Sequence, residues 1–367
     1  MTPHGDRAGR DGPLRVIGSA APGRLSLGNG PARLEPCHGA APGGDLYIGP
    51  GWVDLHTHVY DGTTQISVHP DRGGLERGVH VVADAGSAGQ ATIDGLVRYV
   101  LPTARTRVRA WLNIGSHGLV HLRETADPAF IDVDAALAAV DWHRDVICGV
   151  KVRSSGAIVG AMGLQPLQLG RLVAREAGLP LLVHVGEAPP LIGDVLDLLD
   201  AGDVITHCYH GKTGTPWLPS GEPAPALARA LERGVLLDVG HGAASFSFDV
   251  AARALAAGFA PHTISTDLHV RNIGGPVHDL ATTLTKLLAC GLDLETAIGA
   301  VTDAPRAILR MESPWLADDG TIRHATIFRL AAESTRTYVD ARGDVRRPER
   351  HVVPVATVRD GIVEAAS

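Results

Sequence analysis

Between residues 49 and 310 short apolar runs of strand length alternate with longer amphipathic stretches. The runs occupy 52–56, 79–83, 108–114, 146–152, 179–185, 204–207, 235–239 and 263–267. Helical spacing fills 132–143, 165–177, 190–200, 225–233 and 248–257. A strand covered on both faces reads as a continuous apolar run, and strand–helix alternation implies a parallel sheet. Eight such units in roughly 250 residues predict an α/β fold of the (β/α)8 TIM barrel type. The alternative, an open doubly wound sheet, calls for a glycine-rich phosphate turn after its first strand, and no GxGxxG stands there.

The flanks are patterned differently. Residues 14–48 are rich in Gly and Pro with short strand-like pieces, and 321–364 read as strands and turns at 325–328, 337–339, 351–353 and 356–358. Each flank is too short to fold alone. Together they predict a small β-sandwich domain formed by the two chain ends, with 49–315 as the barrel. Residues 1–13 are polar and expected to be disordered.

Composition narrows the class. Of 367 residues 45% are hydrophobic and 20% charged, as in globular chains. A net charge of -7, and no basic run longer than Arg346-Arg347, argue against a nucleic-acid partner. No stretch approaches the roughly 18 apolar residues of a membrane helix, and the N-terminus lacks the apolar centre of a signal peptide. Cys37, Cys148, Cys208 and Cys290 form no CxxC pair, so reduced thiols and a cytoplasmic location are expected. Lysine occurs 3 times (Lys151, Lys212, Lys286) against 30 arginines, so a retained lysine can mark a need for an amine. The 18 histidines suit a metal site.

In a barrel, the C-terminal ends of strands converge on the active site. The first run ends in His56-Thr57-His58, with two imidazoles on alternate residues. The fourth ends with Lys151, the fifth with His184, the sixth with His207 and the eighth with Asp267. Six residues of metal-ligand type at five strand ends are hard to obtain by chance. Cations and hydrogen-bonding groups beside them, Arg153, His210, Lys212, His241 and Arg271, are candidates for binding a substrate carboxylate. Asn113, Ser116 and Tyr209 also lie near strand ends. Glu187 is close enough to His184 to orient it, and Cys208 is read as packing.

The segment Gly49-Pro50-Gly51-Trp52-Val53-Asp54-Leu55-His56-Thr57-His58 resembles the first-strand signature of the amidohydrolase superfamily. The stretches Thr206-His207-Cys208-Tyr209-His210-Gly211-Lys212, Asp238-Val239-Gly240-His241-Gly242 and Ser265-Thr266-Asp267-Leu268-His269-Val270-Arg271 narrow the likeness to its dihydroorotase-like amidohydrolase/deacetylase branch. The resemblance implies two divalent metal ions, usually Zn2+. His56 and His58 would hold one ion with Asp267, His184 and His207 the other, and a CO2-derived carbamate on Lys151 would bridge them. A protonated lysine cannot bind a cation, whereas its carbamate is a two-oxygen anion, and arginine cannot form it. Imidazole and carboxylate also accept iron, manganese or cobalt.

The resemblance further implies attack by a metal-bridging hydroxide on a substrate carbonyl, with Asp267 as catalytic acid and base. The expected reaction removes a small acyl group from an amide or ester of a carboxylate-bearing small molecule. The alternative is a cyclic-amide hydrolase of dihydroorotase or hydantoinase type, which the strand-end residues do not separate. A non-catalytic barrel would lose ligands, and this chain keeps all six. The expected partner is a small-molecule substrate, with no nucleic acid and no membrane; a homo-oligomer stays open.

Overall fold

Seven of the eight apolar runs become strands of one parallel sheet. The computed structural model describes residues 13–19, 21–27, 30–37, 45–311, 314–332 and 335–366. Four short strands come first: β1 (Pro13–Val16), β2 (Gly23–Ser26), β3 (Arg33–Pro36) and β4 (Leu46–Pro50). The barrel strands follow as β5 (Trp52–Thr57), β6 (Val79–Gly89), β7 (Arg107–Asn113), β8 (Ile147–Ser154), β9 (Leu181–Val185), β10 (Val204–Thr206) and β11 (Leu236–Asp238). They lie in sequence order across the sheet, each pair parallel.

The eighth run closes the barrel without a regular ladder. Isolated parallel bridges join Asp238 to Thr263 on one side and Thr57 to Leu268 on the other. Side chains take over where the ladder stops. Thr263 Oγ1 and Ser265 Oγ donate to Asp238, and Thr266 donates to Asp54 through both N and Oγ1. Two buried carboxylates thus give this stretch the partners that a neighbouring backbone would otherwise supply.

Helices cover the sheet where the apolar spacing placed them: Val133–Trp142, Gln165–Ala177, Ile192–Asp197, Pro225–Glu232 and Phe248–Ala256. Asp132 and Ser247 cap the first and last of these by accepting from Ala135 N and Val250 N. Three further helices, Leu280–Leu288, Leu294–Gly299 and Asp303–Ile308, follow the eighth run. Val53, Leu55, Val81, Ala83, Trp111, Leu182 and Val204 form one apolar cluster. Trp111 stands two residues before Asn113, Leu182 before His184, and Val204 before Thr206. The cluster is therefore an apolar layer directly beneath the polar strand ends.

The chain ends meet in a second sheet. After the barrel come β12 (His324–Ala332), β13 (Tyr338–Val339), β14 (Val345–Arg346), β15 (Arg350–Arg359) and β16 (Ile362–Ala365). The order β16-β15-β12-β4-β1-β2-β3 sets the strands of the two termini side by side, joined where β12 runs antiparallel to β4. Leu14, Leu25, Ile48, Ile322, Ile327, Ala356 and Val358 give it a separate core. The expected disorder of 1–13 falls outside the described residues except at Pro13, which opens β1.

The hairpin β13–β14 leaves this sheet and reaches the barrel. Phe248 N donates to Asp340 Oδ2, Ala341 N to Phe246 O, and Arg342 Nη1 to Gly211 O. No helix among the described residues is long and apolar enough to cross a membrane.

Candidate active site

The six candidate ligands meet above the apolar layer. Asp267 Oδ1 lies 3.3 Å from His56 Nε2 and 3.0 Å from His58 Nε2. Lys151 Nζ is 3.4 Å from His56 Nε2. Ring centroids of His207 lie 5.3 Å from His56 and 4.5 Å from His184. One ligand atom each from His56, His207 and Asp267 falls within 4.8 Å of the others. His207 and Asp267 take left-handed backbone, φ 71° and 51°, which non-glycine residues rarely adopt and which clusters at functional sites. Gly86, φ 83°, makes room for the lysine: a Cβ there would stand 2.7 Å from Lys151 Cγ.

Residues behind two of the ligands, His56 and His207, fix their tautomers. His56 Nδ1 is 2.8 Å from Thr206 Oγ1, whose own proton goes to Asp238 Oδ2 at 2.7 Å. The ring must therefore donate through Nδ1, leaving the Nε2 lone pair facing the site. His207 Nδ1 likewise donates to Gly240 O. His58 Nδ1 lies 3.0 Å from Ser87 Oγ, and Ser87 N donates to Asp84. His184 differs: its Nε2 is buried with no hydrogen-bond partner among the described residues.

Burial sets the protonation states. It drives His56 and His184 well below the usual imidazole range and His207 down to about 3, so these rings are neutral and their lone pairs available. Burial also pulls Lys151 down to about 7, opposed by Asp267 and assisted by Arg153. Burial works to raise Asp267, but His56 and His58 outweigh it and hold the carboxyl well below its ordinary range. Burial pushes Asp54 up to about 7 against donation from Thr266. It raises Asp238 too, against donation from Ser265, Thr206 and Thr263.

The donor set fits divalent metal. Ligand atoms of His56, His207 and Asp267 fall within 4.8 Å of one another, His58 adjoins Asp267, and His184, with its orphaned nitrogen, packs against the His207 ring. Oxygen-only ions of the calcium type suit this nitrogen-rich set less well.

The substrate candidates divide into three kinds. Arg153 is committed to the buried Glu124, donating from Nε at 2.7 Å and Nη2 at 2.6 Å. His241 is buried with both ring nitrogens engaged, Nδ1 on Gly242 O and Nε2 beside Lys286 Nζ. Lys212 is partly exposed and Arg271 exposed, whereas His210 is buried. Lys212 Nζ pairs with the exposed Glu187 at 2.7 Å, and His184 Nε2 and Lys212 Nζ each lie 3.4 Å from where a Gly186 Cβ would stand. His210 accepts from Lys212 N at Nδ1, and its Nε2 is buried without a partner among the described residues.

Sequence reasoning placed Glu187 behind His184. It instead accepts from Ser155 Oγ and pairs with Lys212, because the lysine stem reaches back to it. The supporting roles of Asp54, Asp84, Glu124, Thr206, Asp238 and Lys286 are not expected from the sequence. A carboxylate inside an apolar run, as at Asp54, Asp84 and Asp238, was the available signal. Asn113 proved structural, bonding Gly86 O and Gly115 N.

No family model matches the chain. The chain is 40% identical over 362 residues to a deacetylase from Agrobacterium fabrum, covering 98% of this chain and 86% of that protein. It is 39% identical to a deacetylase from Brucella anthropi, covering 94% of this chain and 84% of that one. A crystal structure of a dihydroorotase superposes with TM-score 0.88 at 38% identity over 96% of each chain. One of an adenine deaminase does so with TM-score 0.85 at 29% identity, over 96% of this chain and 100% of that one. With strand-end histidines, lysine and aspartate gathered in a barrel, and relatives this similar over nearly its whole length, the chain belongs to the amidohydrolase superfamily of metal-dependent hydrolases, in its dihydroorotase-like amidohydrolase/deacetylase branch.

Proposed function

We propose that this protein removes a small acyl group from an amide or ester of a carboxylate-bearing small molecule, using a binuclear metal centre. His56, His58 and Asp267 would hold one divalent ion, His184 and His207 the other, with zinc the metal these donors suit. Bound there, the ions would supply Lewis acidity toward the substrate carbonyl and lower the pKa of water.

The observation that carries this reading is Lys151. It is fully buried, its Nζ has His56 Nε2 as its hydrogen-bonding neighbour, and among the described residues no carboxylate lies within 4.0 Å of it. An isolated ammonium is costly in such a place, and burial favours the neutral amine. A neutral amine adds to CO2: the nitrogen lone pair forms the N–C bond and the amine gives up a proton. The product is an anion with two oxygens, matching a cluster of metal-binding nitrogens. Asp267 receives the proton of the attacking water and passes it to the leaving amine or alcohol. Lys212 and His210 bind the substrate, whose carboxylate the lysine charge attracts.

The deacetylase relatives support acyl removal, and the dihydroorotase neighbour supports a second reading, opening of a cyclic amide by the same residues. Metal-replete protein assayed against N-acetyl amino acids, O-acetyl hydroxy acids and cyclic ureides tests both. Turnover of the acetylated acids supports the first reading. Turnover of ureides alone supports the second, and no turnover of any contradicts both. A small-molecule partner, a cytoplasmic setting and an absence of nucleic-acid or membrane partners belong to this same reading.

A further inference from the structure

Three acceptors converge on one buried amine behind the site. Lys286 lies in the helix Leu280–Leu288 and is 1% exposed. Its Nζ reaches Pro276 O at 2.7 Å, Val339 O at 2.6 Å and His241 Nε2 at 2.8 Å. Pro276 follows the eighth barrel run, Val339 belongs to the hairpin from the chain-end sheet, and His241 follows β11. Carbonyls only accept. His241 Nδ1 faces a further carbonyl, Gly242 O, at 2.8 Å, so the ring proton sits on Nδ1 and Nε2 offers a lone pair. An ammonium has three protons for these three acceptors. A planar guanidinium fork cannot aim three donors from one point, which gives this position a reason to stay lysine among 30 arginines.

The link continues to Asp267. Gly242 has φ 57°, and a Cβ built on it would lie 2.6 Å from Asp267 Oδ2, so its backbone abuts the carboxylate. Gly242 N also donates to Thr266 O at 2.9 Å, one residue before Asp267. His241 stacks on Phe246, with ring centroids 4.7 Å apart. We propose that Lys286 is a positioning residue: by holding His241 as the Nδ1–H tautomer it keeps the 240–242 turn against Asp267 and ties the chain-end hairpin to the active site. Its effect on turnover rests on Asp267 acting in the proposed reaction; the tautomer does not.

The test is nitrogen NMR of the metal-replete protein carrying 15N-labelled histidine, with the His241 signals assigned by loss in His241→Asn. The wild type is expected to show His241 neutral, protonated at Nδ1 and bare at Nε2. The opposite tautomer overturns the proposal without any Lys286 variant. In Lys286→Met, which keeps length and loses the donors, the Nδ1–H signature becomes mixed. There kcat falls about 10²-fold, as for a misplaced catalytic group, while metal content holds. Lys286→Arg does not restore either property. A folded Lys286→Met with the wild-type tautomer and wild-type kcat overturns the proposal. Should Lys286→Met not fold, His241→Asn cuts the same link from the other side, and wild-type kcat in it contradicts the claim.

Discussion

The two sides of the active site are built differently. On the side of β5 and the eighth run, every imidazole is tied back into the protein. His56 runs through Thr206 to Asp238, and His58 meets Ser87, whose amide bonds Asp84. Asp54 and Asp238 anchor the stretch that carries Asp267. On the side of β9 and β10, His207 is likewise tied to Gly240 O, but two other imidazole nitrogens are left without partners. His184 Nε2 and His210 Nε2 are both buried and unbonded among the described residues, and Lys212 is held by an exposed carboxylate. The first side resembles a finished support in which every ligand imidazole has a hydrogen-bond partner behind it; left-handed backbone occurs on both sides, at Asp267 and at His207. The second is one in which ligands complete the hydrogen bonding and coordination. In physical terms, the locked side sets where chemistry happens and the open side sets what may enter.

The most severe way to break this division is to remove the group that joins the two sides. Lys151→Ala and Lys151→Arg are expected to lose binuclear metal binding and activity altogether, since neither side chain offers two oxygens. Short carboxylic acids added to Lys151→Ala should restore part of both. Wild-type metal content and activity in Lys151→Arg contradict the bridge. Next comes Asp267→Asn, expected to lose about 10²–10⁴-fold in kcat while keeping some metal. A rate within a few-fold of wild type removes its proton-transfer role.

The open side is tested by substrate charge. One charge-assisted contact contributes about 1.5–3 kcal/mol, so an acylated acid should exceed its methyl ester by roughly 10–150-fold in kcat/KM. Lys212→Met should bring that ratio toward one. Glu187→Gln should raise it by freeing the lysine. Equal rates on acid and ester in the wild type contradict a carboxylate seat. On the locked side, Thr206→Val breaks the path from His56 to Asp238. Loss of such a supporting bond should weaken metal affinity about 10–100-fold, read by competition with a chelator. Unchanged affinity would show the relay to be idle.

A further effect concerns stability. His80 and His241 are pushed down to about 3 by burial, below the ordinary histidine value of about 6.5. Between those values the unfolded chain binds more protons than the folded one, so stability rises with pH and is lost as pH falls from 6.5. Each residue contributes a slope of up to about 1.4 kcal/mol per pH unit. Glu187 and Asp200, held near 2, stay ionised throughout this window, while Asp54, pushed up to about 7, offsets the slope of one histidine. Urea midpoints of metal-free protein at pH 4.5 and 6.5 check the sign, and a flat profile contradicts it.

The same contrast explains what could be read from the chain alone. Strands covered on both faces announce themselves as apolar runs, so β5 to β11 and the helices packed on them were legible. Strand-end periodicity then exposed His56, His58, Lys151, His184, His207 and Asp267 together. The eighth run was legible as apolar but not as an irregular closure, because its partners are side chains of Asp54 and Asp238 supplied from far along the sequence. Helix Leu280–Leu288 was not among the stretches read as helical, although its spacing is as amphipathic as theirs; residues 280–287 are all buried. Pairings such as Arg153 with Glu124 and Lys286 with His241 depend on which loops come together. No local pattern encodes that, nor does one mark the hairpin β13–β14 as leaving its sheet for the barrel.

The measurement closest to the central claim is the metal content of protein purified without chelator, set beside that of Lys151→Ala. The account predicts two divalent ions per chain in the wild type, and fewer in the variant until a short carboxylic acid is added. A wild-type value near zero that does not rise on reconstitution with zinc, iron, manganese or cobalt would contradict it.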